Sequence, residues 1–202
     1  EVLVLEEGGD YSGPALTQRD GAMYDQLYVD RGGRMTADRG ISVLQGRTLG
    51  GGTVINASDV VPLSDAVMRH WQKMYRLSDF GPETLAVYRQ LAQDDLSANV
   101  PTEEQLNPNN RLLRAGTQAL GWKGEVMQHN RVGCAGVGTC LIGCPLDRKR
   151  TARQVAVPAA VQAGARFRVR TRVLRIDSAA ADEKVLRCCR LGPGPLLLPS
   201  FC

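Results

Sequence analysis

The segment Gly46-Arg47-Thr48-Leu49-Gly50-Gly51-Gly52-Thr53-Val54-Ile55-Asn56 carries the chemistry that is easiest to read in this chain. Three successive glycines let the backbone turn through dihedrals closed to other residues, and they bring bare N–H groups to a surface where a Cβ would collide. Such a loop suits a phosphate or a flat ring. Thr53 and Asn56 add short polar side chains that can bond a ligand or cap the next element. A second candidate is Glu6, which ends the apolar run Val2-Leu3-Val4-Leu5. An acid at a strand end in a dinucleotide fold accepts hydrogen bonds from ribose hydroxyls, and elsewhere it is simply a solvated acid. The glycine fingerprint that pairs with such an acid is expected about 20 residues before it, upstream of Glu1.

Cys134, Cys140, Cys144 and Pro145 form a C-x5-C-x3-C-P run whose end has ferredoxin spacing, although the first interval does not fit. A closed metal site needs four ligands, and His129 is the one candidate nearby. The expectation is therefore a loop of buried or paired cysteines, with metal binding as the lesser alternative. His70 and His129 are the only two histidines and read as structural, so neither is assigned as a catalytic base.

The elements around these residues follow from period and punctuation. Val2 to Leu5 reads as a central strand of a parallel sheet buried on both faces, and Asp10 to Ser42 as a long irregular connection. Helices are predicted over Asp65–Arg76, with Ser64 or Asp65 at the start, and over Pro82–Leu96, with Leu85, Tyr88, Leu91 and Ala92 on one face. A third is predicted over Pro108–Leu120, between Asn107 and Gly121, and a short one over Pro158–Ala163 that ends at Gly164. A strand is predicted over Arg166–Asp177, where apolar residues alternate with arginines. That alternation reads as a solvated strand face, so no nucleic-acid partner is expected.

The chain has 202 residues, 22 glycines and a net charge of +4, an ordinary globular composition with 43% hydrophobic residues. No run approaches the ~18 apolar residues of a membrane span, and the expectation is a soluble, cytoplasmic protein. Six cysteines fall in two uneven groups, unlike a disulfide framework.

The strand ending Glu6-Glu7-Gly8, the segment Gly46–Asn56, the run Cys134–Pro145 followed by Lys149, and the stretch from Val157-Pro158-Ala159-Ala160 through Gly164 to Arg172-Val173-Leu174-Arg175-Ile176 together resemble the glucose-methanol-choline (GMC) oxidoreductases. The likeness is to the bacterial branch that includes long-chain alcohol oxidases and dehydrogenases, and it covers about residues 1 to 177. The resemblance implies an α/β fold with a Rossmann-like parallel sheet that binds FAD, incomplete here because its first strand is absent. It also implies a helical and loop insertion towards a substrate domain. The cofactor-binding residues it implies are Glu6 at the ribose, Gly46, Arg47, Leu49, Gly50, Gly51, Gly52, Thr53, Val54 and Asn56 along the FAD, and the Val173 backbone at the adenine. Val60 departs from the family signature.

The implied domains are 1–61 and 146–182 for FAD binding, with 62–145 between them. Residues 183–202, rich in proline and cysteine, do not match and are expected to be a disordered tail. The implied activity is oxidation of the CH–OH group of a small-molecule alcohol by hydride transfer to the flavin, with a histidine base beyond this chain. The chain is expected to be a fragment that is inactive alone and holds FAD weakly at most. The alternatives are another flavin oxidoreductase with an iron–sulfur relay at the three cysteines, and a non-catalytic nucleotide-binding remnant.

Overall fold

The computed structural model describes the backbone of residues 1–180 and 183–192, and within them the side chains of 1–177 and 187–192. In chain order the elements are β1 (Val2–Leu5), α1 (Asp20–Leu27), α2 (Gly52–Ile55), β2 (Asp59–Val60), α3 (Asp65–Tyr75) and α4 (Pro82–Asp95). They continue with α5 (Pro108–Ala119), β3 (Gln128–His129), α6 (Ala156–Gln162), β4 (Ala165–Arg168), β5 (Thr171–Ala180) and β6 (Glu183–Arg190). The chain divides into two compact units, Glu1–Ala57 with Val137–Cys202, and Ser58–Gly136. The fold is mixed α/β with a small parallel sheet.

In the first unit β1 pairs in parallel with β4, Val2 opposite Ala165 and Leu5 opposite Arg168. The expectation of a central strand buried on both faces is corrected. Among the described residues this sheet has two strands, and Val2, Leu3 and Val4 are 59%, 47% and 37% exposed. The core lies elsewhere, in Leu16, Met23, Leu27, Tyr28, Ile55 and Ile142. Three of these belong to or follow α1, a helix inside the stretch expected to be irregular. Met23 and Leu27 stand one turn apart and are fully buried, each side chain stabilising the unit by about 1.5–3 kcal/mol. Tyr28 stacks on Tyr24 with ring centroids 4.4 Å apart, and its hydroxyl donates to the carbonyl of Leu141 at 2.5 Å.

The strand expected over Arg166–Asp177 is two strands. Arg170 sits between β4 and β5 with φ 53°, a left-handed backbone that no strand can carry through, and its N–H donates to Gly8 O at 2.8 Å. A second correction concerns Glu183–Arg190, part of the stretch 183–202 expected to be a disordered tail; residues 193–202 lie outside the described residues. Glu183–Arg190 form β6, antiparallel to β5, with Thr171 opposite Arg190 and Arg172 opposite Cys189. Backbone pairing with β5 holds this segment, whatever its side chains suggest. The prolines at 193, 195 and 199 lie outside the described residues.

In the second unit α3, α4 and α5 occupy the spans that period and capping predict, to within a residue at the C-terminal ends. Ser64 Oγ accepts from Val67 N–H at 3.3 Å and Asn107 Oδ1 from Asn110 N–H at 2.8 Å, caps worth ~1 kcal/mol each. The face expected on α4 is not buried: Tyr88 and Leu91 are 64% and 56% exposed. In the first unit, α6 begins two residues before its expected start and closes at Gly164, φ 91°.

Candidate functional site

The turn that follows β1 and the glycine-rich segment cross each other in the first unit. Gly9 and Thr48 form a parallel bridge, Leu49 N–H donates to Gly9 O at 2.9 Å, and the buried Thr48 hydroxyl donates to the same oxygen at 3.1 Å. The crossing is so close that a Cβ on Gly8 would lie 2.0 Å from the carbonyl oxygen of Arg47. The segment also folds back on itself, because a Cβ on Gly46 would lie 2.5 Å from the carbonyl carbon and oxygen of Gly51. Gly8 and Gly46 are therefore glycines for chain-to-chain approach.

Gly50 and Gly51 have φ 96° and 55°, the left-handed region that favours glycine. The surroundings separate the residues of the triplet. A Cβ on Gly50 would meet Arg153 and Val54 at 3.0 Å, whereas one on Gly51 or Gly52 would meet nothing within 4 Å. The open side of the loop is thus the backbone at Gly51 and Gly52. The side chains of Leu49 and Val54 are buried, and only their backbone is left for a ligand. The Thr53 hydroxyl donates to Gly50 O at 2.6 Å and accepts from Ala152 N–H at 2.9 Å, so it ties the loop to the protein.

Glu6 stands at the carboxyl end of β1, half-buried, with Oε1 accepting from Gly8 N–H at 2.6 Å. Burial raises its pKa from the ordinary glutamate value, against the lowering effects of the Gly8 hydrogen bond and the nearby Arg47 charge. Arg47 donates through Nη2 to Asp25 O at 2.8 Å, and its Nε is buried with no hydrogen-bond partner among the described residues. Glu7, Gly8, Asp25, Arg47 and Arg170 line a pocket here of about 20 Å³, room for a single water. A larger ligand must therefore lie outside it, on the open face. β5 starts beside Glu6, because Thr171 N–H donates to Glu6 O at 2.9 Å; Val173 follows two residues on, opposite Cys188 and 41% exposed.

The fit to a nucleotide cofactor rests on these observations. The loop has a face on which added Cβ atoms would stand free. A half-buried carboxylate and an arginine donor without a partner lie at the strand end that the loop crosses.

The cysteines are divided between the units, Cys134 in the second and Cys140 and Cys144 in the first, and all three are partly exposed rather than buried. Among the described residues no group of three or more His, Cys, Asp or Glu side chains is placed to hold a metal ion. His129 is buried in the second unit. Its Nδ1 accepts from Arg131 Nε at 2.6 Å, which leaves Nε2 to donate to Asn99 Oδ1 at 2.8 Å. Burial, and secondarily the Arg131 charge, lowers its pKa, with Asp59 opposing. His70 is exposed on α3. The second unit also has an open pocket of about 350 Å³ lined by Leu106, Leu113, Met127, Asp59, Arg114 and Arg131.

One buried group escapes a reading by residue type and spacing. Lys149 is buried and donates to three carbonyls, two of them at the end of α2. A lone lysine after a cysteine run gives no signal that its side chain turns inward.

No helix among the described residues is long and apolar enough to cross a membrane. A family model described as GMC oxidoreductase matches residues 24–187, beyond the point at which the sequence likeness was expected to end. An uncharacterised GMC-type oxidoreductase of Sinorhizobium fredii is 30% identical over 185 residues, 89% of this chain and 36% of that protein. One from Mycobacterium tuberculosis is 33% identical over 192 residues, 94% of this chain and 30% of that protein. A long-chain-alcohol oxidase of Arabidopsis thaliana is 29% identical over 153 residues, 74% of this chain and 20% of that protein. The chain thus spans about a third or less of the length of these relatives.

Proposed function

Because the chain belongs to the GMC oxidoreductase family, we propose that its first unit is part of a Rossmann-like FAD-binding domain, and that the whole protein oxidises an alcohol. The single observation that carries this reading is the crossing of the Glu6–Gly9 turn by a glycine loop whose Gly51 and Gly52 face open space. The chemistry the flavin supplies when bound is acceptance of a hydride from the carbon of a CH–OH group.

This chain's residues bind and orient. Glu6 accepts hydrogen bonds from the adenosine ribose, and the backbone at Gly51 and Gly52 lies against the cofactor where side chains would obstruct it, with Gly50 making the turn before them. Arg47 places its charge beside them, with Nη2 held by the Asp25 carbonyl. Gly46, Leu49, Val54 and Asn56 shape the loop, with Thr53 tying its turn to Ala152, and the Val173 backbone serves the adenine. His129 is not assigned as the base, since both ring nitrogens are engaged. The name of the Arabidopsis relatives makes an alcohol with a long apolar chain the first substrate to try.

The test is a titration of FAD with the purified chain, followed by flavin fluorescence. A weak but saturable change at one FAD per chain is expected, reversed by excess ADP-ribose. Flavin that stays free at every protein concentration would refute the reading.

A further inference from the structure

Lys149 is 1% exposed, and an ammonium group taken out of water is tolerated only when its donors are met. Its Nζ donates to Val54 O at 2.6 Å, to Asn56 O at 2.9 Å and to Cys140 O at 2.8 Å, one acceptor for each N–H. Val54 belongs to α2 and Asn56 follows it; the last carbonyls of a helix have no partner within it, and a four-residue helix has few internal bonds of any kind. The third acceptor begins the turn Cys140–Ile142, whose Ile142 packs in the core. One side chain thus joins the end of the glycine loop to a turn fixed in the unit's interior.

The loop itself is poorly equipped to hold its shape. Gly50, Gly51 and Gly52 have no side chains to pack, and glycine backbone has the most freedom to lose. Arg47, Thr48 and Leu49 tie its start to Leu27, Asp25 and Gly9, Thr53 ties the turn to Ala152, and at the end Ile55 packs in the core and Lys149 holds the carbonyls. The three acceptors of Lys149 are neutral carbonyls, so the number and direction of its N–H bonds matter as well as its charge.

We propose that Lys149 is a positioning residue for the cofactor: by holding the carbonyls of Val54 and Asn56 to that of Cys140, it sets the backbone at Gly51 and Gly52 in the shape that receives FAD. This rests on the reading of Gly46–Asn56 as the FAD loop. The lysine touches no reacting atom and acts only through α2.

The experiment compares Lys149→Met and Lys149→Ala with Met23→Ala, a core truncation that lowers stability and removes none of the three Lys149 hydrogen bonds. Each chain is assayed for FAD affinity and for amide hydrogen exchange over residues 46–56, at a temperature where urea titration shows it folded. The lysine variants should bind FAD at least tenfold more weakly and exchange at least tenfold faster over 46–56, while Met23→Ala falls short of both. In Lys149→Ala, n-propylammonium replaces the missing atoms and should restore affinity. Tetramethylammonium, which carries the charge but no N–H, should not.

If both lysine variants are unfolded, Lys149→Arg, which keeps charge and donors in another geometry, carries the comparison. Weaker FAD binding at an unaltered urea midpoint supports the assignment, and unaltered affinity overturns it. Losses no larger than those of Met23→Ala overturn it equally. Failure of the unsubstituted chain to bind FAD overturns the loop reading and the assignment with it. Unaltered exchange over 46–56 refutes the mechanical role of Lys149 by itself.

Discussion

Two glycine-to-alanine substitutions separate the fold from the site. In Gly8→Ala the new Cβ would lie 2.0 Å from Arg47 O, 2.2 Å from Arg47 C and 2.5 Å from Thr48 N, all backbone atoms that cannot swing aside. The crossing must open, and with it the Gly9–Leu49 and Thr48–Gly9 bonds are strained. Overpacking of this kind costs about 1–3 kcal/mol. For a chain of 202 residues, at about 2–4 °C per kcal/mol, Tm should fall by roughly 2–12 °C.

In Gly52→Ala the Cβ meets nothing within 4 Å, and the residue opens a helix, where alanine is preferred to glycine. Its Tm should hold or rise slightly. If the open face receives FAD, that methyl group stands in the way, and affinity should fall tenfold or more. The assays are a thermal melt by circular dichroism and the flavin fluorescence titration. A Gly52→Ala chain that binds FAD like the parent refutes the assignment of the open face, and a Gly8→Ala chain with unchanged Tm refutes the crossing.

Glu6→Gln should hold or raise the melting temperature at pH 7. The raised pKa means that the fold favours the neutral carboxyl, a contribution present below the unfolded value and lost as pH rises through the folded one. Yet the same variant should weaken FAD binding by about tenfold or more through the loss of a charged acceptor, and unchanged affinity would remove Glu6 from the site. His129 has a lowered pKa, so its contribution is complete above the unfolded value of about 6.5 and is lost as pH falls below it. Urea midpoints should therefore decline from pH 7 to pH 5, and His129→Gln should flatten that decline; an identical slope in both chains would show that another group is responsible.

What was legible in the sequence divides along physical lines. Helices α3 and α5 carry local signals, a side-chain cap and an apolar period, and those signals do not depend on distant residues. Helix α1 was missed because Asp20-Gly21-Ala22-Met23-Tyr24-Asp25-Gln26-Leu27 has two strong apolar positions in eight, and its helicity comes from the core that Met23 and Leu27 join. The break at Arg170 was invisible because an arginine, not a glycine, takes the left-handed backbone. Strand β6 reads poorly by composition, since its arginines and cysteines give no alternation, and pairing with β5 decides it.

The same limit applies to the candidate site. The glycines of 46–52 stood out as a group, but spacing does not say which of them touch protein and which face open space. Gly46 is spent on the loop's own return, as Gly8 is on the crossing, while Gly51 and Gly52 remain open. The inward turn of Lys149 likewise depends on carbonyls 93 and 95 positions away.

The most direct measurement is amide hydrogen exchange by mass spectrometry on the chain with and without saturating FAD. The account predicts slowed exchange concentrated in peptides covering residues 2–9 and 46–56. Protection confined to Ser58–Gly136, or none anywhere while FAD is bound, would contradict it.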